Sequence, residues 1–483
     1  MTAQPPPAAS SLFQAGVARS DITPPIGIAH GNWTAQAHER AEGIDLPLTC
    51  TALAASDGRE SIILAEWELL YSPDGAALAE ARRRITQLTG VPADHIRLSA
   101  THTHAGPSLG PPWFEGGAEM VAPYLASLTD RLAGTCLAAW RSLRPARVGT
   151  GRGQSAVNSN RRRPWQPGHP MLAPNPDGFS DHEVAVVRID DQAGQPLAIL
   201  VNFAAHPTIL AWDNRLISPD YPGTLRQLVE SHTGAICLFL QGAAGDQDTV
   251  RDYACQVDAA RWVGRQVGLE AARVAEAIET RPGTRRVVRQ VESSWTMGVT
   301  EHVPDPPGDG ANGDDLAVVR SRTRQVALPR WTQAPPSEAD VAQVQALQGR
   351  LADLHRQGAP VEVVREANLK VRRALLALET ARRRSEAGPI LLEIQAIQLG
   401  PVALLSMPVE PFAEIGAAIK AHSPFAATLV SGYSNGIAGY LPVASAYPEG
   451  GYEIWVTPFA PEAAEMVIEA SVELLEQLKS EAV

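Results

Sequence analysis

The segment "LSATHTHAGPS" sets His102 and His104 two positions apart directly after an apolar run. In an extended chain such positions point to one side, so both imidazoles are expected to face a common point. A third histidine, His206, closes the apolar run "LAILVNFAAHP", and Glu410 sits between two prolines in "SMPVEPF". Three imidazoles and a carboxylate are the donors that suit a catalytic zinc, which takes about three protein ligands and keeps one position for water. Glu410 adds weight, because a carboxylate after a strongly apolar strand is costly unless it is paired or bound to a metal. A His-x-His pair also caps turns or makes buried hydrogen bonds, and a histidine before proline closes loops, so spacing alone leaves those roles open.

What groups these residues is their place after apolar, strand-like runs. "SIILAEWE" ends on Glu66 and Glu68, "AICLFLQGAAGDQD" on Asp246 and Asp248, and "ATLVSGYSNGIAGY" on Asn435 and Tyr440. In open α/β sheets ligands bind outside the carboxyl ends of strands, so neighbouring strands running the same way would bring these side chains together. Helix-like stretches at 75–88, 120–143 and 259–279 alternate with the runs. That alternation predicts a mixed α/β fold, layered sheets flanked by helices with the active site at strand ends. Ser337 to Asp340 has the form of a capping box, Gly358 and Pro360 break the helix it opens, and a second helix runs to Gly388. A helical hairpin over about 337–387 is therefore expected. The Gly-rich "QGAAGDQD" reads either as a strand-to-helix turn or as a close backbone approach to a ligand, and no G-x-S-x-G supports a serine nucleophile.

Acidic residues outnumber basic ones, 53 to 41, for a net charge of −12. This excludes a nucleic-acid footprint over the whole surface. No uncharged apolar run reaches the ~20 residues of a membrane span, and the N-terminus lacks a signal-peptide pattern, so a cytoplasmic location is expected. Residues 1–12, rich in Pro, Ala and Ser, read as a disordered leader before one catalytic domain over 13–483. The four cysteines lie far apart without a C-x-x-C pair and read as buried free thiols. Trp33, Trp67, Trp113, Trp165 and Trp212, with the hairpin, are the expected pocket lining.

In order along the chain, "AGVARSDITPPIG", "LSATHTHAGPS", "VNSNRRR", "LVNFAAHPTIL", "RLISPDYPG" and "LQGAAGD" resemble segments of the neutral, non-lysosomal ceramidase family. The resemblance implies a zinc-dependent amidase with one zinc per chain, held by His102, His206, Glu410 and Tyr440. It implies further that His104 stands beside the metal water as acid/base or oxyanion contact, and that Arg161 and Tyr452 contact the scissile carbonyl. Asp248 stands where the family has a serine, and "AYPEGGYEIW" replaces the family's segment before its second tyrosine. The chain stops soon after a closing helix, where ceramidases continue into an immunoglobulin-like domain. The expected substrate is therefore an N-acyl amide smaller or more soluble than ceramide. The rival readings are an ester hydrolase and a two-metal phosphoesterase built on Asp220, Asp246, Asp248 and the three histidines. A zinc that only staples strands is disfavoured, because structural zinc sites usually use cysteines.

Overall fold

The computed structural model describes residues 13–109, 116–281, 283–304 and 318–481. The leader at 1–12, Trp113 and most of the Pro/Gly/Asp-rich loop before the hairpin lie outside the described residues.

Strand Thr49–Ser56 is buried at every position, which a strand reaches only when both of its faces are covered. Alternate side chains show what covers them. Cys50, Ala52 and Ala54 join Ile63, Ala65 and the helices Gly75–Thr89 and Val121–Arg141 in one core. Leu53 and Ala55 turn the other way, into a core shared with Ile397, Leu404 and Leu429 of a second sheet. Further along the first sheet, Ile199 and Val201 pack under the helices Tyr221–Thr233 and Val257–Ala277. Leu200 and Ala198 again face the second sheet. The outer face of that sheet, through Leu392, Ile394 and Leu405, is covered by the helices Ala413–His422 and Ala463–Ser480.

The result is four layers, helices, sheet, sheet and helices, with the alternation predicted from sequence supplying the inner cores. The first sheet has eight strands, from Ile236–Gln241 at one edge to Ile96–Ala100 at the other. The second has four, Val319–Leu328, Ile390–Leu399, Val402–Ser406 and Ala427–Ser431. Each fully buried Leu or Ile between the sheets contributes roughly 1.5–3 kcal/mol, and truncation to Ala costs about 2–5 kcal/mol.

Parallel pairing aligns strand ends two by two. Pro196–Phe203 runs parallel to Ile236–Gln241, Ser61–Trp67 to Ile96–Ala100, and Val402–Ser406 to Ala427–Ser431. Across the sheets, the fully buried Arg97 donates to the hydroxyls of Ser99 on its own strand and of Ser406, Ser431 and Ser434 at 2.6–2.8 Å. The helix pair is present as Glu338–Arg356 and Val361–Ser385, and Ser337 and Asp340 form the reciprocal capping box. All four cysteines are free, and three are buried.

Candidate functional site

The strand carrying the histidine pair ends at Ala100, and His102 adopts a φ of +72°. The two imidazoles therefore meet through a left-handed kink, not through the extended geometry expected from their spacing. A non-glycine residue in that region is held there by its surroundings. Here the His102 N–H donates to the Leu69 carbonyl at 2.9 Å and its Nδ1 lies 2.7 Å from the Leu70 carbonyl. His206 follows strand Pro196–Phe203, and its Nδ1 faces the Gln247 carbonyl at 3.2 Å. A carbonyl only accepts, so both Nδ1 atoms carry the proton and both Nε2 atoms present a lone pair.

Those lone pairs point at one place. Glu410 Oε2 lies 3.2 Å from His206 Nε2 and 3.5 Å from His102 Nε2, while His104 Nε2 is 3.3 Å from His102 Nε2. Glu410 itself is paired with Tyr440 in a two-residue parallel bridge. Burial holds His102 down to about 4 and His104 well below its ordinary value, so neither of these two imidazoles answers the carboxylate with a charge at neutral pH. Buried imidazole lone pairs facing a carboxylate oxygen repel one another unless a cation lies among them, and His104 Nδ1 is buried with no hydrogen-bond partner. The donor set fits a divalent metal. Among the described residues, the metal-capable group of His, Cys, Asp and Glu side chains is His102, His104 and His206, with ligand atoms within 4.8 Å of one another.

Arg161 enters from strand Asn158–Gln166 and spends three of its five N–H donors on the protein. It donates to Glu453 Oε1 at 2.8 Å, Asp248 Oδ1 at 3.1 Å and the Tyr440 hydroxyl at 3.2 Å. Tyr452 packs edge-on against Tyr440, with ring centroids 5.7 Å apart. The arrangement thus gathers His102, His104, His206, Glu410, Arg161, Tyr440 and Tyr452 around one cavity floor.

The carboxylates needed for a second metal are occupied elsewhere. Asp220 accepts from the Leu210 and Tyr221 amides at 2.9 and 2.6 Å. Asp246 accepts from the Ala413 amide and Asn160 Nδ2, both at 2.8 Å. Asp248 takes Arg161 and the Tyr253 hydroxyl. The Gly-rich turn does make a close approach, but to the protein itself: a Cβ on Gly245 would lie 2.5 Å from the Glu410 carbonyl oxygen, and the Gly245 amide donates to Pro411.

A cavity of about 810 Å³ opens above His104 and His206. Trp33 lines it and lies 5.0 Å from the His104 ring. Trp212 packs on Trp33 from behind, Trp165 lines a neighbouring cavity, and the buried Trp67 donates its indole N–H to the Tyr71 carbonyl. The other aromatic walls, Trp331 and Trp455, were not anticipated. Neither was Glu453, wholly buried beneath Arg161 and Arg162, nor Tyr433, whose ring sits 4.4 Å from that of His102 with its hydroxyl unpartnered. The acidic residue beside Tyr452 in "GGYEIW" was a signal for Glu453, but its burial was not. The hairpin's second helix supplies Arg373, Leu376 and Arg384 to the wall.

No family model matches the chain. Neutral ceramidase A of Dictyostelium discoideum is 30% identical over 149 residues, 29% of this chain and 20% of that protein. Neutral ceramidase of Pseudomonas aeruginosa is 23% identical over 427 residues, 80% of this chain and 60% of that protein. The chain thus spans at most 60% of the length of these curated relatives. In solved structures, the fold is similar to neutral ceramidase from Pseudomonas aeruginosa, with TM-score 0.65 and 19% identity over 96% of this chain and 75% of that one. A ceramidase complexed with C2 matches with TM-score 0.65 and 17% identity over 97% and 76%.

Proposed function

We propose that this chain, whose resemblance to the neutral ceramidase family holds along most of its length in sequence and in fold, is a metal-dependent hydrolase of linear N-acyl amides. The observation that carries the reading is the convergence of imidazole nitrogens and the Glu410 carboxylate in a buried floor below a cavity of substrate size. His102, His206 and Glu410, with Tyr440 beside them, would hold one zinc. Zinc bound there supplies Lewis-acid polarisation of a carbonyl and acidifies water.

The rest is the work of the chain's own side chains. Arg161, pinned by Glu453 and Asp248, is a preorganised cation at the position where negative charge develops on the acyl oxygen, and Tyr452 offers a second donor from the cavity wall. Each such donor contributes on the order of 3 kcal/mol. His104, with its free Nδ1 and its place in the cavity lining, passes the proton that the leaving amine needs in order to depart. The aromatic walls take the hydrocarbon of the acyl half.

Metal analysis and turnover of two variants test this division. His206→Ala is expected to lose the metal, whereas His104→Ala keeps it and loses turnover by roughly 10²–10⁴-fold. Equal metal loss in both would make His104 a ligand and remove it from proton transfer. No metal in the wild-type protein would end the reading.

A further inference from the structure

The cavity above the histidines is electrostatically one-sided in a chain that is not. Acidic residues outnumber basic ones overall, yet among the described residues no Asp or Glu lines this cavity, while Arg161, Arg373 and Arg384 do. The neighbouring cavity of about 540 Å³, which shares Gly168 and Pro170 with it, is lined by Asp246, Glu414 and Glu449 along with Arg162, which pairs with Glu449. Acid is therefore excluded from one chamber and admitted to the next, on two sides of the same turn.

The three arginines differ in what answers their charge. Arg161 is neutralised from behind by Asp248 and Glu453. Arg384 is buried but has no carboxylate partner among the described residues. It gives its protons to the carbonyls of Ile454, Trp455 and Thr457 and lies over the Trp331 ring at 4.2 Å. Backbone carbonyls satisfy its geometry and leave its charge in place. Arg373, about three turns earlier on the same helix face, is exposed to the cavity mouth and makes no ion pair among the described residues. Two uncompensated positive charges thus flank an aromatic chamber, where low-dielectric walls strengthen their field.

Resting on the amidase reading above, we infer that the amide taken by this site carries a negative charge on its amine half, as in an N-acyl amino acid. The acyl chain lies against the tryptophans, and the fixed carboxylate lies toward Arg373 within the field of Arg384. In the reaction the C–N bond breaks, the oxygen of water joins the acyl carbon, and the departing nitrogen takes up the proton. The products are a carboxylic acid and a free amino acid, and the carboxylate on the amine half is unchanged throughout.

The test compares N-dodecanoylglycine with N-dodecanoylethanolamine, which share an acyl chain and differ in charge, on the full-length protein loaded with metal. Wild-type kcat/KM is expected to favour the glycine conjugate by about tenfold. Arg373→Ala should cut that preference about fivefold, Arg373→Lys should restore it, and added salt should shrink it. A preference at or below one, or one that Arg373→Ala leaves unmoved, overturns the inference while cleavage of the ethanolamide keeps the amidase reading standing. Failure to cleave either amide with metal bound overturns the amidase reading itself, and this inference with it.

Discussion

Two clusters of ionisable side chains lie at strand ends in this molecule, and they are built on opposite principles. At the end of strand Ser61–Trp67 and just past it, Glu68 accepts from the Thr49 amide and hydroxyl at 2.7 and 2.9 Å and from Arg226 at 3.1 and 3.2 Å. Its neighbour Glu66 is buried, and desolvation, with Glu68 adding, pushes its carboxyl well above the ordinary range so that it stays neutral. Every charge there has its counterpart inside the protein. Around His102, His206 and Glu410 the second partners fix orientation but leave the inward atoms facing one another. A strand end is a site when several oriented donors are left facing one another, and a brace when its charge is paired inside the protein, as Glu68 is with Arg226, and the neighbouring Glu66, with Oε2 unpartnered, is held neutral.

That contrast can be broken in several ways. Glu410→Ala should lose metal by at least ~10²-fold in affinity and with it all measurable turnover, read by elemental analysis and amide hydrolysis. Turnover and metal content near wild type would make this cluster another brace. Glu68→Ala should do the reverse, destabilising the fold by about 3–5 kcal/mol by stranding the buried Arg226, with metal content per folded chain unchanged in urea-melt and metal assays. Arg161→Met should lower kcat/KM about 10²-fold with the metal retained, with thermal melting tracking the cost of leaving Asp248 only the Tyr253 hydroxyl and Glu453 only Arg162 among these partners.

The smallest effect is a pH slope. Glu66 is protonated in the fold over a range where the unfolded chain is ionised, so the native state binds the extra proton. Wild-type stability from this group falls as pH climbs above its ordinary value of 4.5. Glu66→Gln removes that slope, and its stability relative to wild type should rise between about pH 5 and pH 8 in urea midpoints. A difference that shrinks with pH would mean that Glu66 is ionised and that the brace is charged.

Much of this was legible in the residues. His102, His206, Glu410 and Tyr440 follow apolar runs, and parallel pairing joins Glu410 directly to Tyr440, but the strands before His102 and His206 are not neighbours in the eight-stranded sheet, so their meeting was not legible from pairing. The capping box, the helix pair and the burial of three of the four thiols also follow from local sequence, Cys255 being only partly buried. The left-handed backbone of His102 does not, because the carbonyls of Leu69 and Leu70 that hold it belong to a different strand end. Saturation is equally invisible: Asp246 and Asp248 read like ligands until Ala413, Asn160, Arg161 and Tyr253 are placed around them. Trp33 does line the cavity, whereas Trp67, Trp165 and Trp212 misled for the same reason, since side-chain type says nothing of which layer a ring faces.

The guanidinium of Arg97, gripped by serines from both sheets, has a consequence for how the molecule matures. His102 and His206 extend from the eight-stranded sheet and Glu410 from the end of the four-stranded one, some 200 to 300 positions away along the chain. Such distant segments meet late in folding, after long loops have closed. A cation can find its full set of donors only once the two sheets have docked and Arg97 is locked between them. On the metal-dependent reading, capture of the ion would follow docking of the two sheets, and a half-assembled chain would have nowhere to keep it.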